Sequence, residues 1–303
     1  FSIAEELVKE VEAGAEILRQ ARALGLYREG ERKILAVSRG DGLLLLQVEN
    51  LIVTTGAQER FLLFPGNHLP GVYGAGAVQT LMNVYGVVPG KRALMVGAGN
   101  VGLIVSYQLL QAGVEVAAVV EAMSEIGGYH VHAAKIRRLG VPILTRHTVI
   151  RALGEETVEG AVIAGVDEHF NPIPGTEREL EVDLICLAVG LTPSTRLLEQ
   201  AGARMAYVPE LGGRVPLHSP LMETTIPGTY VAGDCAGIGE ASTAMLEGEL
   251  AALSLLSRRG LKLEAEIERV HRSLEKLRLG PFGERPRAGK EKVFSLMKEV
   301  AVG

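Results

Sequence analysis

One hexapeptide constrains this chain more than any other: Gly97-Ala98-Gly99-Asn100-Val101-Gly102. A short apolar run at 93–96 precedes it and reads as a strand. An apolar stretch with helical spacing follows at 101–111, and a second strand-like run at 115–120. Strand, glycine turn, helix and strand together make a βαβ unit. In such a unit Gly97 permits the sharp turn, Gly99 lets a diphosphate approach the backbone, and Gly102 lets helix and strand pack closely. The helix start, with Asn100 and Val101, presents N–H groups and partial positive charge to phosphates. The second strand ends at Glu121. A carboxylate there accepts bonds from both hydroxyls of an adenosine ribose and repels a 2′-phosphate, so NAD is expected rather than NADP. The alternative is a glycine turn of the same shape that has lost its ligand.

The composition removes several other classes. Lys and Arg total 31 against 36 Asp and Glu, a formal charge of −5. Nucleic-acid binders normally carry a basic excess, so no nucleic-acid partner is expected. Cys186 and Cys235 are the only two cysteines, too few for a disulfide scaffold or a four-cysteine metal cage. No apolar run reaches the roughly 18–20 residues of a membrane helix, and no signal-peptide pattern is present, so a cytoplasmic location is expected. Glycine is abundant at 37 residues and aromatics make up 4%, a profile suited to tight strand-to-helix turns.

Along the chain, Ile3, Leu7 and Val11 predict an amphipathic helix. Strands are expected at 15–18, 34–38, 43–48 and 51–54, with a hairpin turn at Gly40-Asp41-Gly42. The segment 64–76 is rich in Pro and Gly and reads as a linker. A helix at 77–84 precedes the βαβ unit. A helix at 131–139, a strand at 142–145 and a small antiparallel insertion over 149–153 and 158–164 come after it. Residues 183–189 form an almost continuous apolar run, as in a strand covered on both faces. Gly190 closes it and is a candidate for the nicotinamide side of the pocket, with a plain strand-to-loop turn as the alternative. A strand at 229–232, a helix at 240–257, a charged helix at 262–279, a Gly/Pro/Arg-rich link to 290 and a short terminal helix complete the reading. Arg285, Arg287, Lys290 and Lys292 read as an ordinary charged tail, with docking of a partner subunit as the alternative.

A second block, Thr225 to Asp234, runs turn, strand, then Gly233-Asp234 at the strand's carboxyl end, with a helix start behind it. An aspartate so placed can accept a bond from a ribityl hydroxyl, and the helix start can stabilise negative charge on a reduced flavin. At this point the sequence resembles the two-dinucleotide-binding-domain flavoproteins. Leu51-Ile52-Val53-Thr54-Thr55-Gly56-Ala57 is similar to their strand and Thr-Gly turn beside the flavin. The hexapeptide with Glu121 resembles their NAD fingerprint, and Thr225–Asp234 their C-terminal flavin motif. The segment 186–193, ending Gly190-Leu191-Thr192-Pro193, is similar to their turn after the last NAD-domain strand. Within that group, 64–80 resembles the α-type subunits of sarcosine oxidase, dye-linked proline dehydrogenase, opine oxidase and hydrogen cyanide synthase.

The resemblance implies an α/β protein of two nested Rossmann-like domains. With 64–76 and the Pro/Gly-rich segment 209–220 read as crossings between domains, an FAD-type domain is expected over 1–73 plus 209–260, an NAD-binding domain over 74–208 and a charged helical tail over 261–303. It implies FAD and NAD as cofactors, with Thr55, Gly56, Ala57, Gly233 and Asp234 toward FAD. It further implies an electron-transferring subunit beside a second flavoprotein chain, in an oligomer. The group's first glycine fingerprint is absent, and the chain starts at Phe1, so the FAD-type domain is expected to be N-terminally truncated and FAD to be held by the full-length protein; the alternative is a protein that has lost the FAD diphosphate site. No Cys-x-x-Cys pair exists, which excludes disulfide-reductase chemistry. The alternatives are a stand-alone NADH:acceptor reductase and a non-catalytic assembly subunit. His68, His147 and the His130-x-His132 pair are weak signals with no metal expected.

Overall fold

Strand Arg92–Val96 sends its side chains alternately to two sheltered faces. Ala93 and Met95 enter one apolar cluster, Leu94 and Val96 another, and none of the four is more than 4% exposed. Period-2 alternation with both faces apolar is what a central strand of a covered parallel sheet requires. In this computed structural model, which describes residues 2–30, 32–280 and 283–302, that strand lies at the centre of a five-stranded sheet. The order is Val72–Gly74, Leu184–Leu187, Arg92–Val96, Glu115–Glu121, Ile143–Thr145, and every pairing is parallel.

Helices Ala75–Tyr85, Asn100–Gln111 and His130–Arg138 supply Val78, Leu103, Leu109 and Ile136 to the first cluster. The second face is covered by an antiparallel sheet of His147–Leu153, Gly160–Gly165 and Arg178–Leu180, which contributes Val149, Ala161 and Ile163. The fold is thus mixed α/β, with a Rossmann-like parallel sheet.

The chain divides into two units, Gln58–Thr192 as an insert and Phe1–Ala57 with Pro193–Gly303 as its host. The host holds an antiparallel sheet, Ala21–Glu29, Arg32–Arg39 and Gly42–Val48, a parallel pair, Leu51–Val53 and Thr229–Val231, and an antiparallel pair, Met205–Val208 and Gly213–Pro216. Helices Ala241–Arg258 and Glu264–Arg278 pack against the parallel pair. Leu250, Val270 and Leu274 join Val53, Tyr230 and Val231 in one core.

Several expectations change here. Residues 15–18 are not a strand; the strand is Ala21–Glu29, whose mostly exposed pattern hides its period, while the Ala15–Leu18 run follows directly on helix Ser2–Gly14. That helix forms as expected, yet Leu7 and Val11 remain 49% exposed. The unit edges fall at 57/58 and 192/193, where composition placed them at 73/74 and 208/209. The Pro/Gly content of 64–76 has a packing cause: a Cβ at Gly71 would lie 2.8 Å from the Asp183 carbonyl oxygen. Likewise 209–220 carries a 3-10 turn, Pro209–Leu211, and strand Gly213–Pro216 inside the host. The segment 261–303 is helical, as expected, and packs into the host, since Val270, Leu274 and Val293 are at most 2% exposed. Its Gly/Pro/Arg-rich link is largely helix, Glu284–Val302. Pro286 sits in the first turn, where its missing N–H has no partner to lose.

A truncation of Ile185, fully buried between two covered strands, is expected to cost about 2–5 kcal/mol as Ile185→Ala. Leu45→Ala, at 65% exposure on an outer strand, should stay within about 0.5 kcal/mol. Urea denaturation of both variants checks the contrast.

Candidate functional site

In the insert, the turn after Arg92–Val96 is held by backbone contacts. Gly97 has φ +106° and donates its N–H to the Val120 carbonyl at 2.7 Å. A Cβ at Gly97 would lie 2.3 Å from the Ala188 carbonyl oxygen, and one at Gly102 would lie 2.1 Å from that of Gly97. Both positions therefore need glycine to let strand and helix meet. Gly99 differs. Its φ is an ordinary −72°, and a Cβ there would meet no protein atom within 4 Å. Its lack of a side chain leaves open space in front of the helix, which suits a diphosphate.

Glu121 is brought to this turn. Its Oε2 accepts the Ala98 N–H at 2.8 Å and its Oε1 accepts the Met123 N–H at 3.0 Å. Each oxygen retains acceptor capacity for a further donor. Asn100 opens the helix, and its Oδ1 accepts the Tyr129 N–H at 2.8 Å, so this side chain holds the loop at 122–129. The Gly128 N–H adds a bond to the Ala98 carbonyl. Gly127-Gly128-Tyr129 went unremarked in the sequence, although a glycine pair just beyond the acidic strand end was a signal.

The helix starts in this unit are treated differently. That of Ala75–Tyr85 is filled by Glu59, whose carboxylate accepts the N–H groups of Gly76 at 2.6 Å and Ala77 at 3.1 Å. That of Asn100–Gln111 has no side-chain cap, and Val101 beside it is 42% exposed. The uncapped start thus keeps its N–H groups and its end of the helix dipole available to an anion. Gly190 leaves the neighbouring strand Leu184–Leu187 on the same edge of the sheet. It has φ +108°, and its carbonyl accepts the Arg60 N–H at 3.0 Å.

In the host, the parallel register pairs Leu51 with Thr229 and Val53 with Val231. Thr55-Gly56-Ala57 and Gly233-Asp234 therefore leave adjacent strands at one edge, where ligands of parallel sheets sit. Thr55 Oγ1 donates to the Ser194 carbonyl at 2.6 Å, and the Gly56 carbonyl accepts the Ser194 N–H at 2.9 Å. Asp234 is half-buried. Its Oδ1 accepts the Gly239 N–H at 3.1 Å, and among the described residues no bond to Oδ2 is found. Cys235 is buried against this turn, its Sγ 3.2 Å from the Val53 carbonyl oxygen. Burial pushes its thiol up, with bonds to Gly56 and Thr55 opposing.

The helix start behind Asp234 differs from expectation. Helix Ala241–Arg258 closes its own N-terminus with a capping box between Glu240 and Thr243, so a carboxylate already stands there. The positive charge near the turn comes from side chains instead. Lys290, read as part of a charged tail, is 3% exposed because helix Glu284–Val302 packs it inward against Glu247. His68 is exposed, His132 stacks on Tyr129, and among the described residues no cluster of three or more His, Cys, Asp or Glu could hold a metal.

A family model described as pyridine nucleotide-disulphide oxidoreductase matches residues 1–248. The chain belongs to this family. It is 28% identical over 282 residues to an opine oxidase subunit of Rhizobium meliloti, covering 86% of this chain and 59% of that protein. It is 28% identical over 272 residues to the hydrogen cyanide synthase subunit HcnB of Pseudomonas aeruginosa, covering 82% of this chain and 57% of that one. Among solved structures it resembles L-proline dehydrogenase from P. horikoshii, with a TM-score of 0.66 and 24% identity, covering 91% of this chain and 48% of the other. The chain spans about three-fifths of the length of the two curated relatives. The resemblance to subunits of opine oxidase and hydrogen cyanide synthase, read from 64–80, is matched by these relatives.

The family's disulphide chemistry has no counterpart in the two thiols here. Cys186 and Cys235 are both free and buried, in different units, and burial pushes both thiols up. A thiol reagent should find neither in the native protein and both after denaturation in guanidinium. The glycines give a second test. Gly97→Ala, with positive φ and no room, should cost about 1–3 kcal/mol. Gly99→Ala should leave the thermal melt within about 0.5 kcal/mol.

Proposed function

We propose that this chain passes hydride equivalents between NAD(H) and FAD, as the electron-transferring subunit of an amine- or amino-acid-oxidising complex. The observation that carries the reading is the glycine turn of the insert. It offers open space at Gly99, an uncapped helix start and a carboxylate, Glu121, at the adjoining strand end. Gly97 and Gly102 shape the cradle, Asn100 holds the loop beside it, and the N–H groups at the start of the helix bind the diphosphate. Glu121 receives the ribose hydroxyls and repels a 2′-phosphate. Gly190 lines the nicotinamide side. In the host, Thr55, Gly56, Ala57 and Gly233 form the wall of the flavin site, and Asp234 accepts a ribityl hydroxyl through Oδ2.

The cofactors, when bound, supply the hydride chemistry, while the protein contributes orientation, exclusion of water and electrostatics. The residues present suit the ribityl and ring end of FAD. The electron-transfer role is supported by the names of the relatives, which are subunits of oxidase and synthase complexes. Among the described residues no helix is long and apolar enough to cross a membrane. A cytoplasmic location, where NADH is made and used, accords with the reading.

Anaerobic mixing of the flavin-loaded protein with nicotinamide nucleotides tests the proposal. NADH should bleach the flavin, with an apparent Kd at least about tenfold below that of NADPH, each tenfold corresponding to about 1.4 kcal/mol. Equal or better use of NADPH would overturn the role given to Glu121. Absence of bleaching by either nucleotide would point to an assembly subunit. Bleaching with dye reduction by a chain that co-purifies with no partner would favour a stand-alone reductase.

A further inference from the structure

The buried charges of the host unit converge on one short turn. The 3-10 turn Gly233–Ala236 carries Asp234. At its start the Gly233 N–H donates to Glu247 Oε2 at 2.9 Å. At its end the Ala236 carbonyl accepts a bond from Lys290 Nζ at 3.2 Å. Glu247 and Lys290 are themselves an ion pair, Oε1 to Nζ 2.8 Å, with both side chains 4% exposed. One buried ion pair thus clasps the first donor and the last acceptor of the turn.

The protonation of this cluster follows from its bonds. His218 Nδ1 lies 2.9 Å from the Pro216 carbonyl oxygen, an acceptor only, so Nδ1 carries the hydrogen. Its Nε2 is then an acceptor, and Lys290 Nζ lies 3.3 Å from it. Burial, and next the charge of Lys290, hold His218 well below the usual imidazole range, which keeps it neutral. Lys290 meets three acceptors, Glu247, Ala236 and His218, and only an ammonium has three N–H groups to give. Arg278, the last residue of helix Glu264–Arg278, adds a second cation on Glu247 Oε1 at 2.6 Å. Two cations thus face the single Glu247 carboxylate in a water-poor region beside the turn, which carries the second carboxylate, Asp234.

We propose that Lys290 is a positioning residue for the flavin site: paired with Glu247 it holds both ends of the Gly233–Ala236 turn, and with Arg278 it supplies the positive charge that the capped helix Ala241–Arg258 does not. This rests on the reading that Asp234 faces a flavin. The class of ligand favoured is one that gains electron density on reduction, such as an isoalloxazine ring. Glu247 is the connecting group, since it accepts from the turn and from both cations.

The test compares Lys290→Met with Val293→Ala, a truncation on the same helix at a fully buried apolar position whose side chain makes no hydrogen bond to the turn. Both variants should lower the melting temperature of the protein. In the flavin-free state, hydrogen exchange of the peptide covering 233–239 should rise at least tenfold in Lys290→Met and stay within twofold in Val293→Ala. Titration with FAD, followed by flavin fluorescence, should show a Kd at least tenfold higher for Lys290→Met only. The reduction potential of its bound flavin should fall. Should Lys290→Met prove unfolded, Glu247→Gln combined with Lys290→Met removes both charges and leaves the Gln carbonyl for the Gly233 N–H; the weaker FAD binding should persist. Wild-type exchange at 233–239 in Lys290→Met, or an FAD Kd within twofold while Asp234→Asn weakens it, would overturn the proposal. An FAD Kd unmoved by Asp234→Asn would overturn the flavin reading itself, and the proposal with it, whatever the exchange data show.

Discussion

Backbone touching backbone is the constraint from which the insert is built. The Ala188 carbonyl lies where a Cβ on Gly97 would project, and the Gly97 carbonyl where one on Gly102 would. Such approaches are open only to glycine, and they bring the central strand, its neighbour and the following helix into van der Waals register. The parallel arrangement then brings Gly97, Glu121 and Gly190 to the same edge, because each lies at or just beyond the carboxyl end of one of three neighbouring strands. The meeting of these residues at that edge is a consequence of packing before it is a matter of chemistry.

What distinguishes that edge chemically is the disposition of carboxylates at helix starts. Glu59 closes the helix Ala75–Tyr85 and Glu240 closes the helix Ala241–Arg258. Each neutralises a helix end that would otherwise attract anions. At Asn100 no side chain takes that place. Glu121 stands nearby, yet it accepts from Ala98 and Met123 at the strand end and leaves the helix start clear. Helix His130–Arg138 also starts without a side-chain cap, so it is the open start together with the glycine turn and Glu121 that sets the Asn100 end apart.

The legible parts of the sequence were those whose cause is local. The βαβ unit around Gly97 is written in apolar runs and a glycine turn, and its elements fall within one or two residues of expectation. Strand Thr229–Val231 and helix Ala241–Arg258 were legible for the same reason. Strand Ala21–Glu29 was not: it is exposed along most of its length, so its partners, not its own periodicity, make it a strand. The linker at 64–76 misled because packing against a distant backbone and flexibility both favour glycine. In the site, Glu59 and Glu247 were invisible because each acts on an N–H far away in sequence or on another element.

Lys290 shows the limit most clearly. In sequence it stands among Arg285, Arg287 and Lys292, and a row of cations reads as a solvated face. The helix places one of the four against Glu247 and His218 while Lys292 pairs at the surface with Glu210. An ammonium withdrawn from water to this extent survives only with its bonds complete, and here they are complete. The same carboxylate that makes the burial tolerable also receives the turn carrying Asp234. Charge compensation in the core and placement of the turn are therefore one arrangement, and a helix near the end of the chain is bound to a loop at the centre of the host unit by the cost of leaving any of its charges alone.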